Sequence, residues 1–210
     1  MNRFLPAQAR IPCRFRILFC AALLFFVIPA ARAGAHPHIW VHYSVEVRFT
    51  EQGLAGFAQR WKFDEMFTNE LMYMYDLCPE SPLTEEDVKT LRANAFQNLG
   101  EYYYLTHVVI DGKPFYAQWV KDFNARFEGR NMVYEFFVPC TVSAIESPKT
   151  IQFLVFDEEF FVDARMAGAS PVTIKAPPEI EWKKTVGPDD DFRFLGFLKP
   201  AVLTFQFQKP

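Results

Sequence analysis

Residues 36–49 read HPHIWVHYSVEVRF, and from His38 onward they alternate without a break. Ile39, Val41, Tyr43, Val45, Val47 and Phe49 make one face; His38, Trp40, His42, Ser44, Glu46 and Arg48 make the other. A two-residue period predicts a strand with one face buried. The histidines fall on its polar face, where they are either solvated edge residues or ligands. His36 and His38 share that face roughly 6–7 Å apart, close enough for one ion, while His42 lies roughly 13 Å beyond His38.

Upstream, residues 1–35 hold five arginines and no acid, followed by the apolar run Ile17–Ile28, Pro29 and a small-residue region. That pattern predicts a cleaved signal peptide, since twelve uninterrupted apolar residues are too few to cross a bilayer. Phe19 precedes Cys20 where lipidation needs a small residue, which argues against a lipoprotein. Ala31/Ala33 would direct cleavage before Gly34, and Ala33/Ala35 before His36. The first start places histidine third, where amine, amides and imidazole wrap copper(II) or nickel(II) in a plane. The second frees the amine of His36 itself, and Pro37 then lacks the N–H that such a wrap around His38 would need. Both starts remain open.

The chain has net charge −3, which without the five leader arginines becomes −8. An acidic exported protein is a poor partner for nucleic acid or anionic membrane and a reasonable collector of cations. Twenty-four phenylalanines predict an aromatic core and argue against disorder. Cys78 and Cys140 lie beyond the leader. An oxidising compartment would permit a disulfide between them, with two buried free thiols as the alternative.

Downstream, Gln52-Gly53 predicts a turn into a second strand ending at Trp61-Lys62-Phe63. Asp64 has the place of an N-cap for a helix over Glu65–Tyr75. Thr84-x-x-Asp87 is a capping box for a second helix, with Val88, Leu91, Ala95 and Leu99 on one face and Gly100 as its stop. Strands are expected over 102–110, 114–120, 131–138, 150–156, 160–164 and 203–207, with Asp111-Gly112 as a hairpin turn. The expected fold is α+β: an antiparallel β-sheet or sandwich with a two-helix insertion between its second and third strands. The organisation expected is a signal peptide at 1–35, a domain at 36–175, and a Pro-rich, acidic extension at 176–210 that ends in a strand.

Carboxylates at strand ends can complete a nitrogen-rich site for zinc, nickel, cobalt or copper. Asp64, Glu65 and Asp157 occupy such positions, although helix capping and solvated turns account for the same residues. The chain has no G-x-S-x-G, H-E-x-x-H, C-x-x-C or phosphate-cradling glycine loop, so no enzyme class proposes itself.

Taken together, HPHIWV (36–41), GLAGFAQRWKFDEMF (53–67), AFQNLGEYYYLTHVVIDGKP (95–114) and FDEEFFVD (156–163) resemble the domain-of-unknown-function 1007 family. The resemblance implies a periplasmic component of an uncharacterised ABC-type transport system, of the kind associated with nickel/cobalt permeases or zinc uptake. It carries over His36, His38, Trp61, Asp64, Glu65 and Asp157 as motif residues. Three departures stand out. Asp76–Pro82 lacks the donors and glycine of a calcium loop, Phe156-Asp157-Glu158 replaces a Tyr-Asp-Pro, and His42 stands where an aspartate is common.

The leading expectation is therefore a non-enzymatic periplasmic accessory that binds a divalent transition metal for a membrane permease or ABC transporter. His36 and His38 would be its primary ligands, with Asp64, Glu65 or Asp157 as a third. The alternatives are a copper oxidoreductase with an N-terminal histidine brace, for which His107 is the distant second imidazole, and a module that docks on a permease without metal. No nucleic-acid role and no membrane-embedded segment after cleavage are expected.

Overall fold

The computed structural model describes residues 37–194 and 198–210. His36 and the whole leader lie outside the described residues, and with them the cleavage alternatives. β1 (Ile39–Thr50) buries Val41, Tyr43, Val45 and Val47 and leaves Trp40 and His42 exposed, as its alternation requires. It turns at Glu51-Gln52 into β2 (Gly53–Phe63), antiparallel to it, with Val47 opposite Phe57 and Tyr43 opposite Trp61. Asp64 caps α1 (Glu65–Tyr75), and the reciprocal Thr84–Asp87 box opens α2 (Glu85–Leu91). Both helices lie between β2 and the next strand in the chain.

The remaining strands are β3 (Thr106–Ile110), β4 (Lys113–Tyr116), β5 (Lys121–Glu128), β6 (Asn131–Ser143), β7 (Lys149–Val155), β8 (Val162–Met166), β9 (Val172–Lys175), β10 (Glu181–Pro188) and β11 (Ala201–Gln208). They make one sheet in the order β5-β6-β2-β1-β8, with β9 also on β1, and a second in the order β10-β11-β7-β3-β4. The first sheet departs from the antiparallel expectation at one edge. β8 and β9 both run parallel to β1, one beside residues 39–43 and the other beside 45–48. Residues 176–210 supply two strands to the second sheet, with β11 paired between β10 and β7.

The sheets meet through aromatic rings. Phe57 of β2 stacks on Phe153 of β7 at 4.6 Å, and Phe49 of β1 meets Phe207 of β11 edge-on at 4.9 Å. Farther along the same face of the first sheet, the helical insertion takes over. Phe96 packs on Phe136 at 4.9 Å and on Phe123 at 4.4 Å, and Phe67 packs on Phe63 at 5.0 Å. Burying rings of this size is the main favourable term of the fold, on the order of 1.5–3 kcal/mol per side chain.

Several local expectations change in the folded chain. Gly100 does not stop the second helix. The α-helix widens into a π turn at Arg92–Phe96 and tightens into a 3-10 segment over Gln97–Leu105. That segment ends in left-handed backbone at Tyr103, Tyr104 and Leu105, with Tyr104 and Leu105 buried and Tyr104 packed on Phe96 at 5.4 Å. Strand structure therefore begins at Thr106, four residues later than the apolar pattern suggests. Asp111 and Gly112, both at positive φ, form the hairpin turn as expected. Cys78 and Cys140, the cysteines among the described residues, are free: Cys78 is exposed and donates to Glu80 at 2.9 Å, while Cys140 is buried in β6 and its thiol is pushed up to about 12 by desolvation. No helix among the described residues is long and apolar enough to cross a membrane.

Candidate metal site

The start of β1 is held from both sides, and on each side an aspartate governs the contact. Toward β2, the Asp64 carboxylate accepts the Trp40 N–H at 2.8 Å through Oδ2 and the Phe67 N–H at 2.9 Å through Oδ1. One side chain thus caps α1 and ties it to β1. The Asp64 N–H donates back to the Trp40 carbonyl at 3.0 Å, so two hydrogen bonds join these residues.

Toward β8, Asp157 is buried, 6% exposed, and organises the turn that delivers that strand. It accepts the Glu159 N–H at 3.1 Å through Oδ1 and the Val162 N–H at 2.9 Å through Oδ2. The Phe160 N–H closes the turn on the Asp157 carbonyl at 2.9 Å. This turn presents the Phe161 carbonyl, which accepts from His38 N at 2.9 Å and Ile39 N at 3.2 Å. Ile39 then pairs with Val162. The His38 ring lies against Phe161, centroids 4.8 Å apart.

Thus His38, Asp64 and Asp157, more than a hundred residues apart at their extremes, gather at one end of the first sheet. Glu65 is next to Asp64, exposed in the first turn of α1, and its carboxylate makes no hydrogen bond or ion pair among the described residues. Trp61 is buried and serves the core. His42 is exposed in register with Lys62 on one side and Arg165 on the other, a cationic neighbourhood that does not favour a metal ion. His107 belongs to the other sheet, where its Nε2 lies 2.9 Å from the Phe156 carbonyl. A carbonyl can only accept, so Nε2 carries the proton. Beside this end, Asp163 pairs with Arg165 at 2.6 Å and holds that guanidinium above its ordinary value.

Among the described residues, no group of three or more His, Cys, Asp and Glu side chains is arranged to hold a metal ion. The described part of the site contributes one imidazole, His38, one uncommitted carboxylate, Glu65, and two aspartates already engaged by backbone N–H groups. The other expected nitrogen, His36, lies outside. The Asp157 bonds and the second bond of Asp64 were invisible to sequence reading. Capping of Phe67 by Asp64 has a local signature, but the bond to Trp40 spans 24 residues and no local pattern encodes it.

These contacts make a stability prediction. Asp157→Ala strands two backbone N–H groups, one of them buried, and should cost about 2–3 kcal/mol. Glu65→Ala should stay within about 0.5 kcal/mol. Urea unfolding of the two variants beside the parent checks the contrast. Equal losses would show that Asp157 is no more structural than Glu65.

The fold places the chain among two-sheet α+β proteins whose first strand is entered through a histidine segment. A family model described as "Protein of unknown function (DUF1007)" matches residues 21–193, and the chain belongs to that family. No curated protein matches it.

Proposed function

We propose that this is an exported, periplasmic, non-enzymatic protein that binds a divalent transition metal as cargo for a membrane permease or ABC-type transporter. Zinc, nickel, cobalt and copper all suit a site led by imidazole nitrogen. The observation that supports it is the double clamp on β1. The chain is fixed immediately after His-Pro-His, by Asp64 on one side and by the Asp157 turn on the other. Fixing the strand there lowers the conformational entropy that two histidines would lose on closing around one ion. In this reading His36 and His38 are the primary ligands, Asp64 and Asp157 hold the strand that carries them, and Glu65 is the carboxylate free to complete the set.

The test is calorimetry with each metal on protein whose native N-terminus has been verified by mass spectrometry. His36→Ala/His38→Ala should fold with unchanged thermal stability and lose more than about 100-fold in affinity, beyond the range for outer-shell changes. Equal affinity in parent and double variant would remove the histidines from the site. A Glu65→Ala loss without a histidine effect would move it to the carboxylates.

A further inference from the structure

α1 carries apolar side chains where a surface helix ordinarily turns polar ones to water. Thr68 and Leu71 are its buried positions, with Phe67 and Tyr75 partly covered beside them. At 3.6 residues per turn, Met66 and Tyr73 fall about 20° from each other on the opposite side, roughly 10 Å apart along the axis. Tyr73 is 93% exposed, and Met66 and Met74 are each 58% exposed. One exposed apolar side chain is ordinary, but three on two turns of one helix make a stripe. Other exposed rings have aromatic neighbours: Tyr103 lies against Tyr116 at 4.7 Å, and Trp182 stands opposite Phe207 in the second sheet. Tyr73 has no ring contact among the described residues.

Charge describes what covers the stripe. α1 contains Glu65 and Glu70 and no lysine or arginine, and it runs between Asp64 and Asp76. The Glu70 and Asp76 carboxylates make no hydrogen bond or ion pair among the described residues. An anionic bilayer repels such a helix, and a two-fold contact between copies would set Glu70 against a like-charged partner helix. An apolar groove rimmed with lysine or arginine suits both features. Met66, Tyr73 and Met74 then act as anchors at the i, i+7, i+8 spacing of a helix laid in a groove, with the methionines adapting to its shape.

The helix also starts in the right place. Asp64, its cap, holds the Trp40 N–H two residues after His38, and Glu65 opens its first turn. The stripe thus begins at the end of the sheet from which an ion held by the histidines would leave.

We propose that α1 is the docking face for the transport partner. Met66, Tyr73 and Met74 enter an apolar groove of a membrane transport protein, and basic residues on its rim meet Glu70 and Asp76. The partner's being a transport protein rests on the cargo reading above; the face itself rests on α1.

Photocrosslinking in the cells that make the protein tests it, with p-benzoylphenylalanine in place of Tyr73. The expected product is an adduct with an integral membrane transport protein, its crosslinked peptide apolar and adjacent to lysine or arginine by mass spectrometry. Met66→Glu or Glu70→Lys beside the probe should cut the yield at least about tenfold, the scale of an interface anchor. Both side chains are exposed, so metal affinity and the urea midpoint should not change. The same probe in place of Lys183, on the other sheet, should give no such adduct. The proposal is overturned if the Tyr73 probe gives no adduct, or only lipid, a second copy of this chain or a soluble protein. It is overturned equally if neither substitution lowers the yield or if the Lys183 probe gives the same adduct. Calorimetry on the same protein separates the two readings. An adduct without metal binding keeps the docking face and removes the cargo; metal binding without an adduct does the reverse.

Discussion

Gly56→Ala should destabilise the protein by at least about 3 kcal/mol, the combined scale of backbone strain and overpacking. Gly56 sits at φ +146, a conformation open essentially to glycine alone. A Cβ there would lie 2.3 Å from the Val138 carbonyl oxygen and 2.7 Å from the Phe137 ring. The register of β2 against β6 shifts between Leu54 and Gly56, so the glycine absorbs the irregularity that keeps Phe57 turned inward. Phe57 in turn stacks on Phe153 of the second sheet. The variant loses either the bulge or the ring contact, and in both cases the join between the sheets suffers. Denaturant unfolding with its slope checked against the parent measures this. A loss under about 1 kcal/mol would mean that β6 shifts easily and the close approach is not a constraint.

Gln59→Leu should cost about 2–4 kcal/mol, because it strands more than one buried polar group. Gln59 is 2% exposed and bridges the two sheets. Its Nε2 donates to the Thr106 hydroxyl at 2.8 Å, and its Oε1 accepts the Trp61 indole N–H at 2.9 Å. Thr106 passes the chain on by donating to the Tyr104 carbonyl at 2.9 Å, which anchors the left-handed turn before β3. Leucine matches the volume but accepts nothing from Trp61. A double-mutant cycle with Thr106→Val separates the terms: if the bridge matters, the pair should cost less than the sum of its members. Strict additivity would show that Gln59 and Thr106 act separately. Trp61 fluorescence reports the same event, since losing its acceptor should alter its emission in the folded state.

The candidate site was legible in part. The alternation of the first strand is a local property, and β1 does expose Trp40 and His42 while burying Val41, Tyr43, Val45 and Val47; His38 is exposed in a bend just before the strand, and His36 lies outside the described residues. The roles of the carboxylates were not legible. Asp64 reads first as a helix cap and Asp157 as a residue of an acidic turn, with a ligand role open for each until the backbone N–H groups of Trp40 and Val162 are placed against them. Those N–H groups arrive through strand pairing, and pairing partners lie tens of residues away.

The same division runs through the fold. The sequence by itself determined β1 and β2, the capped starts of α1 and α2, the Asp111-Gly112 hairpin and the final alternating strand, since each is decided by neighbours within a few residues. Alternation, capping and turn chemistry act at that range. Tertiary structure alone decided β5, β9 and β10. β5 is an edge rich in charge, β9 has four residues, and β10 is exposed on nearly every residue, so no face of it needs an apolar period. It also decided that Tyr102–Leu105 would not extend β3, because burying Tyr104 and Leu105 against the core outweighs the strain of three left-handed residues. The parallel edge of the first sheet has the same origin. β8 reaches β1 only through the turn that Asp157 organises, and a direction fixed by a buried hydrogen-bonded turn leaves no periodic trace in the strand it delivers.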